Sequence, residues 1–318
     1  MNFINENENK AIKLFEKQGV AAFRYNNVIK EIVNFIKKQF SKTKSSNIIV
    51  PQHISNKIDM LEKSKIIVNI VNNYDADFLS GSGTTILNNS KLNSNNKLEN
   101  ITIKITAYSY NDILYTRTLT NSLYHELNHC YEFYKRLING EDYYEFPQKL
   151  FTNNHYKYLE LSSNKITNYI KLVLYRLFFK TEYNALISSV YPDLLEYGTN
   201  KNNYREDLKN VQAFIIYEKI KNNIHILDDL TEDDWNDLMF FCNNEEATNN
   251  SFGDFYIRAK SVTTFKNKFK KTIKYKLVNM FKDIMHTAFL FYEPDDIKKE
   301  HNFIKKMHEA LINGKIRT

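Results

Sequence analysis

The sequence predicts an α+β fold dominated by helix, in which a small β-sheet precedes one chemistry-bearing helix and a helical lobe follows it. Three observations lead there. Ile101, Ile103, Ile105 and Ala107 alternate with Thr102, Lys104, Thr106 and Tyr108, the period of two that gives a strand one buried face. From Leu119 to Ile138 the chain runs without Gly or Pro, with Leu119, Leu123, Leu127, Tyr131 and Tyr134 at helical spacing and Gly140 as a C-terminal stop. Only seven Gly and four Pro stand against 22 Tyr and 22 Phe in 318 residues, which favours long helices packed through aromatic rings over a turn-rich β architecture.

The remaining elements follow in order. Lys65–Ile70 is rich in β-branched residues and reads as a second strand. Thr84–Leu87, after the turn residues Ser80-Gly81-Ser82-Gly83, reads either as a third strand at an edge or as a flexible loop running on into the polar stretch Asn88–Asn96. The Asn- and Ser-rich stretch Asn88–Asn100 reads as a long surface loop. After Gly140 the pattern turns helical: Asn164–Lys180, Arg205–Asn222 and Thr231–Cys242 each space their apolar residues by three and four. Thr231 stands as an N-cap before the acidic first turn Glu232-Asp233-Asp234, where negative charge suits the helix dipole. The acids between Asp228 and Asp237 lack the Gly-centred spacing of a calcium loop and read as a solvated helix face.

Near the C-terminus Phe265, Phe269, Ile273, Leu277, Met280 and Ile284 form an apolar stripe, and Lys266, Lys268, Lys270, Lys271, Lys274, Lys276 and Lys282 crowd the other faces. Such a helix turns its stripe to a core and its lysines to water, and the basic face over 265–284 could also meet nucleic acid, an acidic partner or an anionic membrane surface. With 42% hydrophobic residues the chain can bury a substantial core, either as one large domain or as two closely packed lobes, 1–140 and 141–318.

The chemistry concentrates at His125-Glu126-Leu127-Asn128-His129. On a helix this pattern places two imidazoles on one face, one turn apart, the spacing that grips a zinc ion. Glu126 points to the flank of that face, where a carboxylate can hydrogen-bond a water held by the metal and take its proton. Leu127 projects the other way, so the histidines should sit at a helix edge facing a cleft. Catalytic zinc usually takes a third protein ligand and leaves a position for water. Glu132 does not qualify, because two helical turns place it about 10 Å beyond His125 along the axis.

Glu182 is the best third ligand. It interrupts the apolar run Leu172–Val190, where a buried carboxylate is costly unless a cation or metal compensates it. Ala185, three residues on, shares its face and would permit close approach of another helix. Pairing of Glu182 with Lys180 or Arg176 is the competing reading, and His155 and Glu160 are weaker alternative ligands in a polar segment.

His125, Glu126 and His129, together with Glu182-Tyr183-Asn184-Ala185, resemble the gluzincin branch of the zincin-like zinc metallopeptidases. The resemblance implies two ligand histidines from one helix, a ligand glutamate from a later helix, and a general-base glutamate inside the first motif. It also implies a small sheet ahead of the active-site helix, and in that arrangement Gly81–Leu87 would be the segment to pair with an extended peptide. It covers those two helices and their surroundings, and Leu186 stands where several gluzincins carry an acid that supports a ligand histidine.

The expected function is therefore hydrolysis of peptide bonds by metal-activated water, with His125, His129 and Glu182 on Zn2+ and Glu126 as base. The donor for the oxyanion stays open among Tyr183, Tyr191 and His155. The alternative is a structural or interaction protein, for instance a phage virion component, that keeps the fold without turnover. An Asn-, Lys-, Ile- and Tyr-rich composition like this one is associated with AT-rich genomes, bacteriophages among them. The N-terminus shows no basic segment followed by an apolar core, and no run of about eighteen apolar residues occurs, so neither secretion nor membrane spanning is expected. Two cysteines, Cys130 and Cys242, make no disulfide framework and fit a reducing cytoplasm, with Cys130 packing as a small apolar residue. The net charge of +7, from 44 basic and 37 acidic residues, gives non-specific affinity for polyanions, and no nucleic-acid motif accompanies it.

Overall fold

Strand alternation and helical periodicity are realised in an α+β, helix-dominated chain with a small sheet. The computed structural model describes residues 25–43, 47–71, 82–87, 92–108, 112–140, 160–178, 180–197, 207–243 and 259–292. The chain divides into two compact units, Met1–Tyr143 and Tyr144–Thr318.

The first unit opens with helix α1 (Asn26–Thr43), followed by β1 (Asn47–Ile49), the single turn α2 (Gln52–Ser55), β2 (Leu61–Glu62) and β3 (Lys65–Val71). After them come β4 (Ser82–Leu87), β5 (Leu98–Glu99), β6 (Ile101–Tyr108) and the long helix α3 (Asp112–Ile138). The main sheet has the order β1-β3-β6-β4. β3 and β6 run parallel, with Ile66 beside Ile103, Val68 beside Ile105 and Ile70 beside Ala107. Because side chains alternate across a strand, this register gathers all six on one face, and all six are buried. Each full burial of an Ile or Val there is worth roughly 1.5–3 kcal/mol. β4 pairs antiparallel with β6 and closes the sheet at its edge, with Thr85 opposite Ile103.

Helix α3 packs on β6 and β4 through a stripe that includes Leu119, Leu123, Leu127 and Cys130, all buried. It begins at Asp112, seven residues before the stripe expected from Leu119, and ends as expected before Gly140, whose φ of +75° suits a residue without Cβ. α1 covers α3 with Ile29, Ile32, Val33 and Ile36, and the Tyr124 hydroxyl donates to Asn26 Oδ1 at 2.6 Å. The short strands β2 and β5 form a separate parallel ladder. Ahead of β5, within the segment expected as loop, Asn93 Oδ1 accepts from the backbone N–H groups of Asn95 and Lys97 and fixes a turn. Gly81 and the residues 88–91 lie outside the described residues.

The described residues of the second unit form helices and the turns between them, with no strand among them. The segment expected as one helix over Asn164–Lys180 is instead α4 (Asn164–Val173) followed by a π-helical turn, Leu174–Phe178. α5 (Lys180–Ser188) and α6 (Val190–Tyr197) follow. The helix expected from Arg205 is α7, starting at Gln212 and ending at Asn222, with the Gln212 N–H donating to Asp193 Oδ2 at 2.7 Å. A 3-10 turn, Ile224–Asp228, leads to α8 (Glu232–Asn243).

Thr231 caps α8 reciprocally: its Oγ1 accepts from the Asp234 N–H at 3.1 Å while its own N–H donates to Asp234 Oδ2 at 2.9 Å. Asp234 also accepts from the Ser162 N–H and hydroxyl, so this acid of the first turn is buried rather than solvated. In α9 (Val262–Tyr292) the whole stripe Phe265, Phe269, Ile273, Leu277, Met280 and Ile284 is buried. Lys266 and Lys270 lie over the Trp235 ring and Lys270 also pairs with Asp228, so part of the basic face is used within the unit. Among the described residues no helix is long and apolar enough to cross a membrane.

Candidate metal centre

Helix α3 is laid on the sheet by its apolar stripe, and that fixes where the motif side chains go. Leu127 and Cys130 are buried in the core, whereas His125 and His129 keep partial exposure at the helix edge, as their spacing predicts. Burial raises the Cys130 thiol well above its ordinary value, and the charge of Glu126 adds to it, so this cysteine is an inert packing residue.

The two imidazoles converge. Nε2 of His125 and Nε2 of His129 are 3.0 Å apart, with ring centroids at 4.6 Å and planes at 89°. Two nitrogens each bonded to a tetrahedral zinc at about 2.0–2.1 Å would stand about 3.3 Å apart, so small ring rotations bring this pair to ligand geometry. Without a metal the same approach is satisfied by a proton on one ring and a lone pair on the other. With one, both lone pairs would be free to hold the ion.

Glu126 is only 3% exposed. Its carboxylate is met from the edge strand: the Thr85 hydroxyl donates to Oε2 at 2.6 Å, the length of a charge-assisted O–H···O⁻ bond. Thr85 reaches it because its register opposite Ile103 puts its side chain on the sheet face that α3 covers. This residue was missed from the sequence. Its 41-residue separation from Glu126 leaves no spacing to read, and only the strand alternation around it hints at an inward polar group.

In the second unit, Glu182 sits in the first turn of α5 and is 9% exposed. The π-helical turn before it carries Arg176, whose Nη1 lies 3.0 Å from Glu182 Oε2. The cost of burying this carboxylate is therefore offset by a cation of the same unit, one of the two pairings weighed against metal binding. π-Turns recur at functional sites, and this one displaces Arg176 from the regular helical ladder. Ala185 and Leu186 are buried.

Of the alternative ligands, Glu160 is exposed and His155 lies outside the described residues. Of the candidate oxyanion donors, Tyr183 donates its hydroxyl to Asp283 Oδ2. Burial, together with the Asp283 charge, raises the Tyr183 phenol well above its usual value, while burial pushes the Asp283 carboxyl up. The Tyr183 hydroxyl is thus committed to Asp283, a partner nothing in the sequence singled out. Tyr191 is buried.

Imidazole nitrogens are borderline donors of the kind that transition metals such as zinc accept, whereas calcium and magnesium take oxygen ligands almost alone. Comparison of the chain with protein-family models, with curated proteins and with solved structures finds no match.

Proposed function

We propose that this chain is a zinc-dependent peptidase of the zincin-like, gluzincin type, with His125, His129 and Glu182 as metal ligands and Glu126 as general base. The observation that carries the reading is that Nε2 of His125 and Nε2 of His129 converge to 3.0 Å at the edge of α3, beside the buried carboxylate of Glu126. Bound there, zinc would polarise a water and the scissile carbonyl. His125 and His129 supply neutral nitrogens from one helix face, and Glu182 supplies the negative charge that completes the usual set. Glu126, one position off that face, accepts a proton from the attacking water and returns it to the leaving amine nitrogen as the C–N bond breaks. β4, at the edge of the sheet, offers its outer side for pairing with an extended peptide.

The test uses a broad peptide library, with zinc measured on the same samples. Wild type should cleave and hold about one zinc per chain. Glu126→Gln should keep the zinc and lose about 10²–10⁴-fold in turnover, because an amide cannot accept the proton. Equal fragments at equal rates from the two proteins would contradict the catalytic reading. If neither protein cuts, a non-catalytic scaffold or virion protein becomes the better account.

A further inference from the structure

A general base must hold one orientation while the bond to its proton forms, and a glutamate has three rotatable bonds to restrain. We infer that Thr85 is the positioning residue for Glu126: its hydroxyl, presented by the edge strand, fixes Oε2 and leaves Oε1 to take the proton. The inference rests on the reading of Glu126 as base and adds a residue outside the helical motif to that machinery.

Three features carry it. The contact is short, 2.6 Å, and joins a neutral donor to a carboxylate that is almost wholly buried. A hydroxyl donor orients the carboxylate without cancelling its charge, whereas a lysine or arginine at the same place would form an ion pair and weaken it as a base. Thr85 is itself restrained, since a β-branched side chain in a strand has few χ1 choices and β4 is hydrogen-bonded along β6 from Ser82 to Leu87. The same Oγ1 lies 3.4 Å from the Glu126 backbone carbonyl oxygen, so the hydroxyl sits over the first turn of the motif as well as over its carboxylate. The link spans 41 residues of chain and ties the base to the strand on which an extended peptide would lie.

The experiment compares Thr85→Val, which keeps the shape and removes the donor, with Thr85→Ser, which keeps the donor. Zinc content, kcat and KM are measured for full-length protein, and thermal midpoints are measured for the metal-free chain. Thr85→Val should hold zinc as wild type does and keep KM within about twofold, while kcat falls about 10–100-fold, the range seen when an outer partner of a catalytic centre is lost. Thr85→Ser should recover most of the rate. Combined with Glu126→Gln, Thr85→Val should cost no further turnover, and the two substitutions should lower the thermal midpoint by less together than the sum of their separate shifts.

A Thr85→Val enzyme with wild-type kcat, a Thr85→Ser enzyme as slow as Thr85→Val, or strictly additive thermal shifts would each overturn the inference while leaving the peptidase reading intact. A wild type with no turnover, indistinguishable from Glu126→Gln, would overturn that reading and this inference with it.

Discussion

Two buried glutamates, Glu126 in the first unit and Glu182 in the second, are held in opposite ways. Glu126 is met by a neutral hydroxyl that comes from a strand 41 residues away. Glu182 is met by a guanidinium six residues away, on the turn that precedes its own helix. A neutral donor orients a carboxylate and leaves its charge available to accept a proton. A guanidinium orients and neutralises, which suits a carboxylate that must stay ionised in a buried place before any metal arrives. The difference matches the roles proposed for the two residues, one a base and the other a ligand.

The largest expected effect is on metal binding itself. His129→Ala removes one of the converging nitrogens, and zinc affinity should fall by more than the roughly 10–100-fold that follows loss of an outer partner. Isothermal titration with zinc measures it, and undiminished affinity would separate the histidine pair from the metal.

Next comes the ion pair. Arg176→Met should destabilise the metal-free chain by about 2–4 kcal/mol, somewhat below the value for a fully buried pair because the arginine keeps some solvent contact. Saturating zinc should recover part of that loss if Glu182 is a ligand, since the metal then replaces the missing cation. Denaturant unfolding with and without zinc reads both numbers. A penalty that zinc does not change would assign Glu182 to Arg176 alone and break the comparison with Glu126.

The smallest effect lies away from both glutamates, at Asp234, whose helix-capping role provides a control. Burial pushes its carboxyl up and is the largest single influence, but hydrogen bonds from Thr231 and Ser162 outweigh it and hold the group below its ordinary value. A folded value below the unfolded one of about 3.9 means the stabilisation is complete above that pH and is lost as pH falls through the folded value. Asp234→Ala should therefore cost about 1–2 kcal/mol at pH 7 and flatten the acid limb of the stability curve below about pH 4, with no change in zinc affinity.

How much of this was legible in the sequence depends on the range of the interactions. The α3 stripe and the α9 stripe repeat over several turns, so their buried faces could be read directly. The alternation from Ile101 to Ala107 gave β6 for the same reason. β1 escaped notice because its three residues turn only Ile48 inward, too short a pattern to register. The π-turn at Leu174–Phe178 escaped too, since one extra residue in a turn does not alter the apolar spacing enough to be seen. His125 and His129 were legible because their geometry is local to one helix. Arg176 was legible only as one of two candidate partners for Glu182, because spacing along one helical run does not say which basic residue reaches the carboxylate. Thr85 depended on the register of β4 against β6, a fact of tertiary structure with no local signature.

X-ray absorption at the zinc edge, with elemental analysis of the same purified chain, tests the proposal that His125, His129 and Glu182 bind one zinc ion. The expected result is about one zinc per chain, with two imidazole nitrogens at about 2.0–2.1 Å and at least one oxygen at about 2.0–2.2 Å, and loss of one oxygen contribution in Glu182→Ala. No zinc after incubation, or a coordination shell unchanged by Glu182→Ala, would contradict it.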